Sequence, residues 1–264
     1  MKELRHLQLV ILEIAKYIDK LCRDNGIEYF ILGGSAIGAI RHKGFVPWDD
    51  DFDIIMDNKN YEKFCQVCRT QLDNDKYYFQ EGEVDWPCMF SKVKLRGTVF
   101  KEPSAYIDAA GEQGIFVDIF KMDNSPSNRL SRLWQFCCAK YLLCYSLYRR
   151  GFSNPSFAKR LLLIASLPLR LDFLRLFLKK QVEKWNKRDT KYCAYFYGPY
   201  RLSQCFFERS DFANSVYVPF EDTEFPVPVG YDHWLRHVFG DYMTPPPPKQ
   251  QIGSHYIGVD FGKY

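Results

Sequence analysis

No run of about eighteen or more apolar residues occurs in this chain, so the sequence offers no plain membrane-spanning helix. Glu13, Lys16 and Asp19 interrupt the first apolar stretch, and no small-residue cleavage site follows it, so a secretory signal is not expected. The nine cysteines are an odd number at irregular spacing. That pattern reads as reduced thiols in a cytoplasmic protein, not as a disulfide framework. Cys65 and Cys68 form a C-x-x-C, but no second pair stands at zinc-ribbon spacing. They and the adjacent Cys137 and Cys138 are read as structural thiols. His233 and His237 have a helical i, i+4 spacing yet lack the glutamate of an H-E-x-x-H site. No internal repeat is evident, and no nucleic-acid-binding motif accompanies the positive charge, so nucleic acid is not an expected partner.

What is present supports a sizeable core: 47% of residues are hydrophobic, with 22 Phe and 18 Tyr. The net charge of +4 is unevenly spread. Between Arg129 and Arg188 there are fourteen lysines and arginines against two acids, Asp172 and Glu183. This segment is also rich in Leu, Phe and Tyr in a pattern compatible with helices. Two readings stay open. Residues 129–188 form a patch for an anionic membrane, which would place the protein at the inner face of the cell membrane, or they are a helical insertion with a solvated basic face. The expected organisation is a catalytic core over 1–125, a basic helical segment over 126–190 and a C-terminal segment over 191–264 that packs on the core, the whole being compatible with one compact domain.

Leu4, Leu7, Ile11, Ile14, Ile18 and Leu21 fall on one helical face, and Asn25-Gly26 is a stop signal. Strands are expected at 29–32, 52–56, 77–80, 88–95 and 115–120. Helices are expected at 35–40, 60–72 and 231–239, the last ended by Gly240. Three more are expected between 129 and 188, broken at 151–155 and near Pro168. Pro219, Pro226 and Pro228 mark a loop with extended stretches. This order predicts an α/β (α+β) fold, a small mixed sheet flanked by helices.

The chemistry concentrates between Gly33 and Met56. Gly33, Gly34 and Ser35 follow an apolar run and open a short helix, whose free backbone N–H groups favour phosphate; the glycines allow close approach to the backbone. About sixteen residues later come Asp49, Asp50, Asp51 and Asp53, leading into Ile54–Met56. Asp51 and Asp53 alternate with apolar residues, so on a strand they share a face. Two such carboxylates repel unless a cation lies between them, and a polyphosphate substrate is accompanied by magnesium. Asp49 and Asp50, after Pro47 and Trp48, are also compatible with a solvated turn. Asp118 stands alone in Ile115–Phe120, where an acid is costly to bury unless paired or metal-bound.

A Gly-Gly-Ser turn, a spacer and Asp-x-Asp on a strand resemble the nucleotidyltransferase superfamily signature. The string Gly-Ala-Ile-Arg-His-Lys-Gly-Phe-Val-Pro-Trp-Asp-Asp-Asp-Phe-Asp closely resembles the LicD family within it, which is related to fukutin-type phospho-alditol transferases. The match is tight over residues 25–57, with weaker echoes at 114–123 and 231–246. The resemblance implies a nucleotidyltransferase-like core, in which Asp51, Asp53 and Asp118 hold one or two Mg2+ ions, with Mn2+ as an alternative, and in which Asp118 serves as metal ligand and possible general base. It also implies a CDP-linked donor, a glycan or lipid-linked glycan acceptor and release of CMP. Gly33, Gly34 and Ser35 would cradle phosphate. The candidate nucleotide-side cations are Arg41 and Lys43 in the motif, Arg41 at a matching motif position, and Lys92, Lys94 or Arg96 on the following strand, Lys94 and Arg96 by placement alone; His255 joins them on its position in the family pattern. A true nucleotidyltransferase that releases pyrophosphate needs the same acids, and a catalytically idle nucleotide-binding scaffold is the remaining rival.

Overall fold

The computed structural model describes residues 2–102, 111–151, 157–253 and 257–264. Helix α1 (Lys2–Asp24) buries Leu7, Ile11, Ile14, Ile18 and Leu21 on the face its spacing predicts. Strand β1 (Phe30–Ile31) leads without a loop into α2 (Gly33–His42), and β2 (Asp53–Asp57) is followed at once by α3 (Asn58–Gln71), capped by the Asp57 side chain. Then come β3 (Tyr77–Gln80), β4 (Ser91–Leu95), β5 (Val99–Lys101) and β6 (Phe116–Ser125). The fold is mixed α/β. Its main sheet runs β1-β2-β6-β4-β3, with β2 and β6 parallel and the other neighbours antiparallel.

The basic segment forms α4 (Arg129–Arg149), α5 (Phe157–Ala165), a short 3-10 turn (Leu167–Arg170) and α6 (Asp172–Glu183). The chain then returns to the sheet. Strand β7 (Tyr192–Ala194) pairs with the far end of β6, and β8 (Phe206–Glu208) pairs with β7. The proline-marked stretch is more ordered than the expected loop: β9 (Ser215–Phe220) and β10 (Thr223–Pro228) form an antiparallel hairpin. The prolines are tolerated because this is an isolated two-stranded ribbon. Helix α7 (Tyr231–Phe239) ends at Gly240, whose φ of 70° suits glycine. Finally β11 (Gly258–Asp260) pairs with β5.

Two local expectations are corrected. Helix α2 starts at Gly33, not Ser35, so the Gly-Gly-Ser triplet is its first turn. Strand β2 starts at Asp53, so Asp51 lies in the approach to the strand and the two acids are not successive members of one strand face.

Candidate active site

Register assembles the site. On β2 and β6, Asp53 is the direct partner of Asp118, and on β6 and β4, Asp118 is the partner of Lys92. One row across three strands thus reads Asp, Asp, Lys. Lys92 is fully buried, lies 3.0 Å from Asp118 Oδ1 and donates to Glu102 Oε1 at 3.3 Å. Its ammonium also sits over the Phe116 ring. Asp118 Oδ1 has this ion pair but no aligned hydrogen bond, and buried Asp53 Oδ1 has no hydrogen-bond partner among the described residues.

Both carboxyl groups have raised pKa values. Burial is the main cause at Asp53, followed by the charges of Asp51, Asp118 and Asp49; Lys92 opposes them. At Asp118, burial again raises the value and Lys92 is the chief opposing influence. The carboxylate oxygens of Asp49, Asp50 and Asp51 lie within 4.8 Å of one another, so Asp51 belongs to that group while also acting on Asp53. A hard, oxygen-seeking divalent cation fits this donor set, because it would satisfy the orphaned oxygens and oppose the surplus negative charge.

The Gly33–Ser35 turn is built against these acids. Leu32 N–H donates to Asp53 O at 2.9 Å, and Asp53 N–H donates to Ser35 Oγ at 3.0 Å. Ser35 therefore fixes the start of β2, which leaves its hydroxyl proton for another acceptor. Gly33 has φ +56°, and a Cβ there would lie 3.8 Å from Asp53 Oδ2. At Gly34 a Cβ would collide with the Asp49 carboxylate. The residue before α2, Leu32, makes no side-chain capping bond, and the Asp49 carboxylate lies against Gly34 in the first turn.

An open cleft of about 430 Å³ adjoins this end and is lined by Gly34, Arg41, Trp48, Asp49, Phe239 and Tyr242, among others. Arg41 donates to Tyr242 O at 2.6 Å and to His42 Nε2 at 2.9 Å. Lys43 lies elsewhere: it is the exposed C-cap of α2, at the opposite end from Gly33. Lys94 donates to Glu112 O at 2.8 Å; Arg96 donates to Asn74 O at 2.9 Å and pairs with the Glu112 carboxylate. Both therefore hold the chain around Glu112. His255 lies outside the described residues. His233 Nδ1 is bound to Asp211 at 2.8 Å and lines a second cavity with His237, remote in sequence from the acids.

Sequence reading undervalued Lys92, whose role depends on register across three strands. It missed Tyr195 and Tyr200 altogether. Both are buried enough to hold their phenols protonated well above the usual range, with Asp53 acting on each. Their rings lie 5.8 Å apart in an edge contact. No local motif marks them; the return of the chain along β7 brings them to the acids.

A model described as LicD/FKTN/FKRP, nucleotidyltransferase domain, matches residues 26–140. The lipopolysaccharide cholinephosphotransferase LicD of Haemophilus influenzae is 30% identical over 96% of this chain and 96% of its own length. The human ribitol 5-phosphate transferase FKRP is 27% identical over 47% of this chain, covering 20% of its own. With its acids set on the strands of a nucleotidyltransferase-type sheet and this likeness along nearly its whole length, the chain is an enzyme that belongs to the LicD family.

Proposed function

We propose that the protein transfers a phospho-substituent, of phosphocholine or phospho-alditol type, from a CDP-activated donor to a hydroxyl of a cell-surface glycan, releasing CMP. The acceptor class is a lipopolysaccharide, capsule or teichoic-acid type glycan, free or lipid-linked. The observation that carries this reading is the pairing of Asp53 with Asp118 across adjacent strands, both with buried carboxylate oxygens lacking hydrogen bonds. The activities for which the two transferases described above are named support the same reaction class.

Asp51, Asp53 and Asp118 are the residues that would hold magnesium, one ion or two, with manganese as an alternative; when bound, it neutralises diphosphate charge and polarises the phosphoryl oxygens. The protein's own groups do the rest. The Gly33–Gly34 backbone would let a phosphate, accompanied by its cation, approach the first turn of α2, and Arg41 supplies positive charge in the adjoining cleft. Lys92 holds Asp118 in place and limits repulsion within the acidic group. Buried Tyr195 and half-buried Tyr200 are near enough for the Asp53 charge to act on their phenols.

The test is CMP release from CDP-choline, CDP-ethanolamine, CDP-glycerol and CDP-ribitol, with magnesium or with chelator, in the presence of lipopolysaccharide or simple sugars. Metal-dependent CMP release from one donor supports the reading and identifies the head group. Pyrophosphate release from CTP instead would reassign the enzyme as a nucleotidyltransferase. Silence with every donor, together with no metal-dependent binding of cytidine nucleotides, would overturn the assignment in favour of an idle scaffold.

A further inference from the structure

Of the twenty large apolar side chains exposed among the described residues, ten lie between Leu130 and Phe177, a stretch of less than a fifth of the chain. Helix α6 shows how this arises. One side carries the buried Val182 and the partly buried Leu174 and Leu178, which pack on the core. Lys179 and Glu183 tie that side to Glu83 at 2.8 Å and to Lys121 at 2.5 Å. At about 100° per residue, Phe173, Leu176, Phe177, Lys180 and Lys184 fall on the opposite side, and all five are exposed. Leu161, Leu162 and Ile164 are also exposed on α5, and exposed Leu171 lies between the 3-10 turn and α6. Surfaces kept in water rarely gather large apolar groups in this way.

Charge decides what covers the face. Asp172, the exposed acid of α6, is held by Arg175 at 2.7 Å. Lys180 and Lys184 lie at the end of the apolar strip, with exposed Arg170, Lys187 and Arg188 nearby in the chain. A second copy of the protein would set this surplus of positive charge against its like, whereas an anionic bilayer neutralises it. No helix among the described residues is long and apolar enough to cross a membrane. We propose that α5, the 3-10 turn and α6 form an in-plane docking face for anionic phospholipid bilayers, with Phe173, Leu176 and Phe177 entering the acyl boundary and the lysines meeting lipid phosphates. This claim stands apart from the transfer chemistry, because vesicle binding needs neither donor nor metal.

Sedimentation of the full chain with phosphatidylcholine vesicles, with or without phosphatidylglycerol, tests it. Binding is expected only with phosphatidylglycerol, and it should weaken as salt rises. The double variant F173S/F177S should bind about tenfold more weakly or worse, and so should K180Q/K184Q, both with unchanged melting temperatures. Trp134 is half exposed and meets Gln181 of α6 at 3.4 Å. Its emission should move to the blue on vesicle binding, a change absent in W134F. The proposal is overturned by three results: no sedimentation with phosphatidylglycerol at low salt, binding that both double variants leave intact, or self-association abolished by F173S/F177S without vesicle binding.

Discussion

At Asp53 and Asp118, burial and neighbouring negative charge raise the pKa together, and Lys92 is the cation that opposes them. Replacing either acid by asparagine keeps the shape while removing a charge. Asp53→Asn should therefore lower turnover by about a thousandfold without lowering the melting temperature, and Asp118→Asn should lower turnover as much while also losing stability, because buried Lys92 then keeps Glu102 as its remaining carboxylate partner. CMP release and thermal unfolding measured on the same preparations check this, and a folded variant with full turnover would contradict it. Lys92 predicts the reverse balance. Lys92→Met strands Glu102 and Asp118 without their shared counter-ion, which should cost about 3–5 kcal/mol of stability. Urea unfolding should show the full loss in chelator and a smaller one in magnesium. Equal losses in both conditions would separate Lys92 from any cation site.

Among the elements, α2 and the loop after it carry the acids into position. Gly38 faces this loop so closely that a Cβ would collide with the carbonyl oxygen of Gly44 and come within 3.1 Å of Val46 N. Both obstacles are backbone and cannot rotate away. Gly38→Ala should cost about 2 kcal/mol and reduce activity through displacement of Asp49–Asp53; unfolding and turnover that both match wild type would count against this. The same loop is tied from outside by Glu221, at the β9–β10 turn. Its carboxylate accepts from Arg5 at 2.8 and 2.6 Å and from Phe45 N–H at 3.2 Å. The Arg5 hydrogen bonds, chiefly, hold the Glu221 pKa below its ordinary value. A depressed carboxylate pKa stabilises the fold above the unfolded-state value, near 4.3, and this contribution fades as pH falls through the folded-state value. Glu221→Gln should thus be about 1 kcal/mol less stable than wild type at neutral pH, with the gap closing in acid; a gap that is constant with pH would show that the charge is irrelevant. These elements also mark what was legible in the sequence. Period and punctuation predicted α1, α3, β3 and α7 well, since each is decided by local spacing and caps. The hairpin was hidden because its prolines read as loop, and β7 and β8 because short strands gain their identity from the partner they extend.

For the molecule as a whole, the Asp-x-Asp string marked the family, but the candidate site draws on chain distant from it: β6 supplies Asp118, β4 supplies Lys92, and the segment after β7 supplies Tyr195 and Tyr200. Such contributions depend on which strands become neighbours, which no local pattern encodes. They have a thermodynamic consequence. A cation that binds only when β2, β6 and the Asp49–Asp51 approach are assembled must stabilise the folded chain over the unfolded one. At a concentration one hundred times its dissociation constant, such a ligand adds about 2.7 kcal/mol. For a chain of this length, that corresponds to a rise in melting temperature of roughly 5–10 °C. Magnesium should produce this rise in the wild-type protein with no donor present, and Asp53→Asn should abolish it. A melting temperature indifferent to magnesium, in protein stripped by chelation, would mean that the acids hold a cation only when the diphosphate brings it. Asp53→Asn would then leave thermal stability in donor plus magnesium as the decisive comparison: a donor-dependent rise in wild type alone would keep the acids as metal ligands, and equal rises in both would remove them.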